Sequence, residues 1–448
     1  MQALESYIDL YKNYSKTLSS SCSDLMNSHR DKAFDSFSKL GFPDTKMEDY
    51  HNCDLQKVLS YDFGMNLNRL HIPTNPYGVF SCDVPNLSTK LFFVVNDKFY
   101  KNEKPVVLPK GVLCGSLNEL TQTRANLLEP YFAKLSDKSQ DGMVQFNTSF
   151  LQDGFVLYVP ANVRLERPIQ LIQVLQSPAD LMVQRRVLVI LEEGAHAQVL
   201  LCDHSLSSNR FFSNQVTEIF VGKGASMEYY ELEMGHLSTT RVSNTLVSLE
   251  SGSDLVMNGT ILSNGMTRNN VTVRFNGKGS EANLSGMALG ENDQFIDNHI
   301  FVDHAVPGCK SNALYKYVLD DSSRGVFGGK LLVEKDAQKT IAYQSNRNLC
   351  STRQATMFSK PQLEIYADDV KCSHGSATGQ LDESALFYMR SRGISESEAR
   401  LLLKFAFTAD VIDNIRLEPL RDRMKMLVEK RFRGELANCA GCTAANCS

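Results

Sequence analysis

The chain has 448 residues, 42% apolar and 22% charged, and a formal net charge of −4. That length allows about two to four domains, or one long repetitive domain with flanking pieces, and the apolar fraction excludes wholesale disorder. A slightly acidic chain with no long basic run is not built to displace counterions, so no nucleic-acid partner is expected.

The N-terminus, "MQALESYIDLYKNYSK", carries acids among its apolar residues, and no later window approaches ~18 uninterrupted apolar residues. Neither a signal peptide nor a membrane span is expected. Eleven cysteines, an odd number spread over the chain, do not form a disulfide framework pattern. A reducing, cytoplasmic compartment is expected, with most cysteines acting as small buried apolar residues.

Residues 1–145 read as a helical and mixed region. "LESYIDLYKNYSKTL" places Leu4, Ile8, Leu10 and Tyr11 near one face, and Ala33, Phe34, Phe37 and Leu40 follow at helical spacing. Gly41 and Pro43 end that second helix.

Residues 146–381 read as strand after short strand, with turns at Glu193-Gly194-Ala195, Gly222-Lys223-Gly224, Ser251-Gly252-Ser253, Gly277-Lys278-Gly279, Pro307-Gly308, Glu334-Lys335-Asp336 and Asp368-Asp369. The interval is roughly 27 to 33 residues, within the range of solenoid repeats. No helical pattern separates the strands, so strand–helix alternation is excluded; a sandwich or barrel would show turns about every 8–12 residues, and some shorter turns here keep that alternative open. The slower repeat favours a mainly β fold, a parallel β-helix whose coils stack on one inward face.

Residues 382–436 read as helical. Ala385, Leu386 and Met389 share one side of the first helix, and Ser395 with Glu398 forms a capping box opening the second. A third follows Pro419. These helices would close the open end of the solenoid, where strand edges lie unpaired, or dock a partner. Residues 437–448 form a cysteine-containing tail.

The chemistry-bearing motifs are few. The glycine–lysine pairs lack phosphate-loop spacing, and there is neither a His-Glu-x-x-His site nor a Gly-x-Ser-x-Gly elbow. An enzyme acting on polysaccharide would need carboxylates clustered in a groove, and the acids here sit mostly at turns. In "KPQLEIYADDVKCSHGSATGQLD", Cys372 and His374 are two apart and share a face if the strand continues through them. A thiolate and an imidazole there would hold one soft metal, with further ligands from elsewhere in the fold or from a second chain. The alternative is a buried Cys and a hydrogen-bonded His at a turn. In the tail, Cys439, Cys442 and Cys447 have spacing that would chelate zinc or an iron–sulfur unit; the alternative is a set of free thiols. His196, His204, His299 and His304 lie in strands and are given no role.

The stretch "KPQLEIYADDVKCSHGSATGQLDESALFYMRSRGIS" closely resembles the C-terminal signature of the SufB/SufD family of the SUF iron–sulfur cluster assembly system, in its SufD rather than SufB form. "DNHIFVDHAVPGCKSNALYKYVLDDSSRGVFGGKLLVEKDAQKTIAYQSNRNLC" resembles the family's repeat region. "GFPDTKMEDYHNCDL" resembles its N-terminal motif, with Tyr50 where many members carry Trp.

The resemblance implies a right-handed parallel β-helix between helical ends, and a non-enzymatic subunit paired with SufB. It implies docking of the ATPase SufC on the C-terminal helical region, with ATP hydrolysis in SufC. It also implies that Cys372 and His374 lie at the SufB interface, where His374 helps hold a transient iron–sulfur cluster. A homodimer of the isolated chain is a further expectation, since two similar β-helices pair symmetrically. The cysteine tail is not part of the family pattern. No residue in the sequence assigns a flavin site, and a flavin in the complex is left open.

Overall fold

The computed structural model describes residues 2–79, 88–101 and 105–435. Its core is a parallel β-solenoid of about eight turns. Each coil places one strand in each of two sheets. Within the solenoid, the first sheet runs from Phe155–Val159 to Thr356–Ile365 and the second from Ile169–Leu175 to Lys371–Gly379; Leu113–Ser116 extends the first, and Lys90–Val95 and Lys98–Tyr100 the second. Equivalent strands begin every 26 to 32 residues, matching the turn interval read from the sequence.

One corner shows why the spacing is so regular. Asn162, Gly194, Gly224, Gly252, Gly279, Gly308 and Lys339 all take positive φ, a region glycine enters without steric cost. The Gly194 N–H donates to Lys223 O at 2.8 Å, Gly224 to Ser251 O at 2.8 Å and Gly252 to Lys278 O at 3.0 Å, so each corner is tied to the next coil. Inside the coil, alternate residues such as Leu201, Val247, Phe275, Val302 and Leu331 form the principal core.

The outer faces are also covered, which is why many strands are apolar at nearly every position. Tyr7, Tyr11, Phe37 and Phe146 of the N-terminal region pack on Met182, Phe212 and Val242 of the first sheet. The buried face of the helix Gln2–Ser21 is Tyr7, Tyr11 and Leu18; Leu4, Ile8 and Leu10 are only half-buried, so the apolar stripe is rotated from the expected one. In the helix Asp24–Leu40, Ala33 and Phe37 are buried as expected.

The C-terminal helices Glu383–Ser391, Glu396–Asp413 and Glu418–Phe432 are present, and Ser395 Oγ accepts from the Glu398 N–H at 3.3 Å. They do not close the end of the solenoid. Val411, Ile415, Met424 and Val428 lie instead on Tyr230, Val256, Leu262 and Val318, along the outer face of the second sheet. Polar ties fix them there: Lys316 Nζ to Asp410 at 2.6 Å, Asn258 Nδ2 to Val411 O at 2.8 Å and Arg431 Nε to Leu262 O at 2.6 Å. The outer stripe of that sheet is apolar at Tyr230, Val256, Leu262 and Val318, and the helices remove it from water.

The acids are not confined to turns. Asp203, Glu218, Glu233 and Asp297 are buried within strands and paired with Arg185, Arg186, Arg241 and Arg268. Glu218 also accepts the N–H groups of Ala133, Leu135 and Ser136, which fastens the N-terminal region to the solenoid. No described helix is long and apolar enough to cross a membrane.

Candidate functional site

Cys372 and His374 are in a strand, Lys371–Gly379, and not at a turn. This strand pairs in parallel with Ile341–Cys350, with Ala342 opposite Cys372, Gln344 opposite His374, Asn346 opposite Ser376 and Asn348 opposite Thr378. Ala342, Gln344, Asn346 and Asn348 are all buried. Their partners therefore continue the inner row of the solenoid, and both candidate residues point the same way, as alternation requires.

Nothing described covers that row. Lys371–Gly379 and Thr356–Ile365 are the terminal strands of their sheets. Tyr366 N–H donates to Val333 O and Lys371 N–H to Thr340 O, so alternate N–H groups of each strand face away from the solenoid, towards a free edge. Pro361 occupies one of these outward positions, where no ladder donor is lost. Phe358, Ile365 and Tyr366 are exposed around the mouth.

Within the mouth, a polar bar links the two sheets. Ser376 Oγ donates to Ser359 Oγ at 2.7 Å, and Ser359 Oγ to Asn346 Oδ1 at 2.8 Å. Asn348 Nδ2 bonds both Asn346 Oδ1, at 2.7 Å, and Thr378 Oγ1, at 3.1 Å. These residues were not among the expected site residues. Their signal was the run "QSNRN", which puts an amide at every second position, an unusual choice for a row facing a core.

The two candidates differ in environment. Cys372 is half-buried against Val333, Ala337, Ala367 and Val370. Burial raises its thiol pKa, only partly offset by the Ala342 backbone N–H, and this disfavours the thiolate that binds metal. His374 is exposed at the open mouth, with its imidazole available to a partner. Among the described residues no group of three or more His, Cys, Asp or Glu side chains could hold a metal ion. Cys439, Cys442 and Cys447 lie outside the described residues.

A second surface stands out on the C-terminal helices. Glu383–Ser391 buries only Leu386, while Phe387 is 73% and Tyr388 58% exposed, with Leu402 exposed nearby in the chain. Adjacent large apolar side chains left in water are a mark of an interaction surface.

The N-terminal motif is a structural anchor. Tyr50 is buried, donates to Asp141 Oδ2 at 2.6 Å and lies under the Arg268 guanidinium, 4.1 Å from its ring centre. Next to it, Glu48 pairs with Lys360 and accepts from Gln362 Nε2, tying this segment to the last strand of the first sheet.

Comparison with known proteins agrees with this architecture. The family described as SUF system FeS cluster assembly, SufBD core domain, matches residues 174–407, and SufBD protein N-terminal region matches residues 1–171. An iron–sulfur cluster assembly SufBD family protein of Synechocystis is 30% identical over 333 residues, 72% of this chain and 73% of that protein. SufD of Escherichia coli is 31% identical over 244 residues, covering 54% of this chain and 58% of its own length. SufD of Bacillus subtilis is 25% identical over 329 residues, or 72% and 75% of the two chains. With both family regions matched end to end along the solenoid and its N-terminal cover, the chain belongs to the SufBD family of SUF iron–sulfur cluster assembly proteins.

Proposed function

We propose that this chain is the SufD-type subunit of a SUF assembly complex, and that His374 supplies one ligand to a cluster built between it and SufB. The observation that carries the reading is the exposed imidazole on the inner row of an unpaired terminal coil. A single chain offers two soft donors there, too few for a cluster, so the remaining ligands come from a second chain. The free strand edges offer main-chain hydrogen bonds to that chain by strand addition. SufB is the partner this mouth is read to accept, with pairing between two copies of this chain as the form taken in isolation.

SufC docks on the exposed face around Phe387 and Tyr388, and ATP hydrolysis takes place in SufC. Its movement is passed to the mouth through the helix Glu396–Asp413, which is bonded to the solenoid at Asp320 and Lys316. His374 is the metal-binding partner of the two candidates; Cys372, with its thiol held protonated by burial, packs the last coil. An imidazole suits the task because one ring nitrogen offers a lone pair to iron while the other carries an N–H. The iron and sulfide of the nascent cluster are cargo here.

The test is anaerobic co-expression with the cognate SufB and SufC, comparing wild type with His374→Ala. The expected result is an intact complex that has lost most of its iron and sulfide. A variant complex with wild-type cluster content would refute the ligand role and leave a purely structural subunit.

A further inference from the structure

The inner row beside His374 contains a side chain with half its hydrogen bonding unspent. Gln344 is 3% exposed, and its Nε2 donates to the Gly329 carbonyl at 3.2 Å. Its Oε1 is buried without a hydrogen-bond partner. Leaving a buried amide oxygen unpaired forfeits its hydration without replacement, so an arrangement that keeps one calls for a reason. The fold makes room for it: a Cβ on Gly329 would lie 2.2 Å from Gln344 Nε2 and 2.7 Å from Oε1. The glycine creates the space in which the amide lies.

Gln344 stands opposite His374 in the ladder, so the two side chains are neighbours on one inner row at the strand spacing of about 4.8 Å. The His374 ring has no hydrogen-bond partner among the described residues. Asn348 Oδ1 is also unpaired on this row, but it stands opposite Thr378, four residues along the strand. Asn346 Oδ1 is already taken by Asn348, Ser359 and Ser376. Gln344 Oε1 is therefore the unspent acceptor next to the imidazole.

We propose that Gln344 is the positioning residue for His374. Its amide oxygen accepts the N–H of one ring nitrogen, which sets the tautomer and turns the lone pair of the other nitrogen out through the mouth towards the cluster. Metal-binding histidines almost always donate their second ring N–H to an oxygen in this way. Gly329, Gln344 and His374 then form a relay from the floor of the solenoid to its rim. The inference rests on the reading of His374 as a cluster ligand.

The experiment uses the anaerobically isolated complex with SufB and SufC, its cluster reduced to a paramagnetic state. Retention of iron against a chelator is measured together with the remote-nitrogen quadrupole coupling by pulsed EPR. In His374→Ala, loss of the cluster or of its histidine nitrogen signal is expected; an unchanged nitrogen signal would overturn the ligand reading itself. With that reading standing, Gln344→Met is expected to weaken retention about 10–100-fold and to shift the coupling. Gln344→Glu keeps an acceptor at the same place and is expected to recover most of the retention, with its own altered coupling. Wild-type coupling in both variants overturns the proposal, whether retention is kept or lost, because a packing role alone would not change how the imidazole is hydrogen-bonded. Should Gln344→Met not assemble, the coupling in Gln344→Glu decides.

Discussion

Glu233 shows how a single buried group sets the response of this fold to pH. Its Oε1 accepts from Asn264 Nδ2 at 2.5 Å and from the Thr267 hydroxyl, and Oε2 faces Arg241 Nη1 at 3.4 Å. Around it, the carboxylates of Asp203, Glu231 and Glu233 share the guanidiniums of Arg185 and Arg241, so one acid is in excess. Burial pushes its pKa up to about 7, against the opposing pull of Arg241. Between the ordinary carboxylate value and about pH 7, the folded chain holds a proton that the unfolded chain has released. This contribution to stability therefore falls as pH rises through that window, and levels off above it. Glu233→Gln removes the dependence. Its stability relative to wild type is expected to rise by about 2–3 kcal/mol between pH 5 and pH 8 in urea unfolding; an equal difference at both pH values would sink the account. Tyr50 offers a second test. Its hydroxyl is a donor to the buried Asp141, so Tyr50→Phe is expected to cost about 1–3 kcal/mol in the same assay.

At the scale of the element, the strands are governed by what each inner position meets in the next coil. Gly259 and Gly286 are opposite each other in adjacent strands of the second sheet. A Cβ on Gly259 would meet nothing within 4 Å, because the residue lines a cavity of about 50 Å³ bordered by Glu231, Asn269 and Asn298. A Cβ on Gly286 would lie 2.3 Å from the Tyr315 ring. Gly259→Ala is thus expected to stabilise by about 0.4–1 kcal/mol, chiefly by restricting the unfolded chain. Gly286→Ala is expected to destabilise by about 1–3 kcal/mol through overpacking. Opposite signs in thermal unfolding check the assignment of the inner row; equal signs would contradict it. The helices follow local rules more closely. Ser395 caps Glu396–Asp413 where its sequence pattern put it, and Asp382 caps Glu383–Ser391 by accepting from Ser384 and Ala385.

For the molecule as a whole, the decisive feature is which surfaces are covered. The N-terminal region lies on the first sheet and the C-terminal helices on the second, and among the described residues nothing covers the edge of the last coil. Such an edge invites pairing. Thr378→Pro removes an outward N–H from the terminal strand without taking a donor from its ladder to Ile341–Cys350. The chain is expected to keep its melting temperature within a few degrees, while binding to SufB, or to its own copy, weakens by at least about tenfold, roughly 1.4 kcal/mol. Unchanged association in a sedimentation or size-exclusion titration would place the interface elsewhere.

The solenoid was legible in the sequence because its cause is local and periodic. Turn residues at Gly194, Gly224, Gly252 and Gly308 recur at the length of one coil, and each corner needs a residue that tolerates positive φ. The shared face of Cys372 and His374 was legible for the same reason, since alternation is a property of any strand. What only the tertiary structure decided involves residues distant in the chain. The flank chosen by the C-terminal helices depends on contacts such as Asn258 with Val411, and the fastening of the last strand on Lys360 with Glu48. The buried acids, and the place of Gln344 beneath His374, likewise depend on which coil stacks on which. Periodicity specifies how a strand faces, but the burial of a face is settled by whatever packs against it, and no local pattern records that.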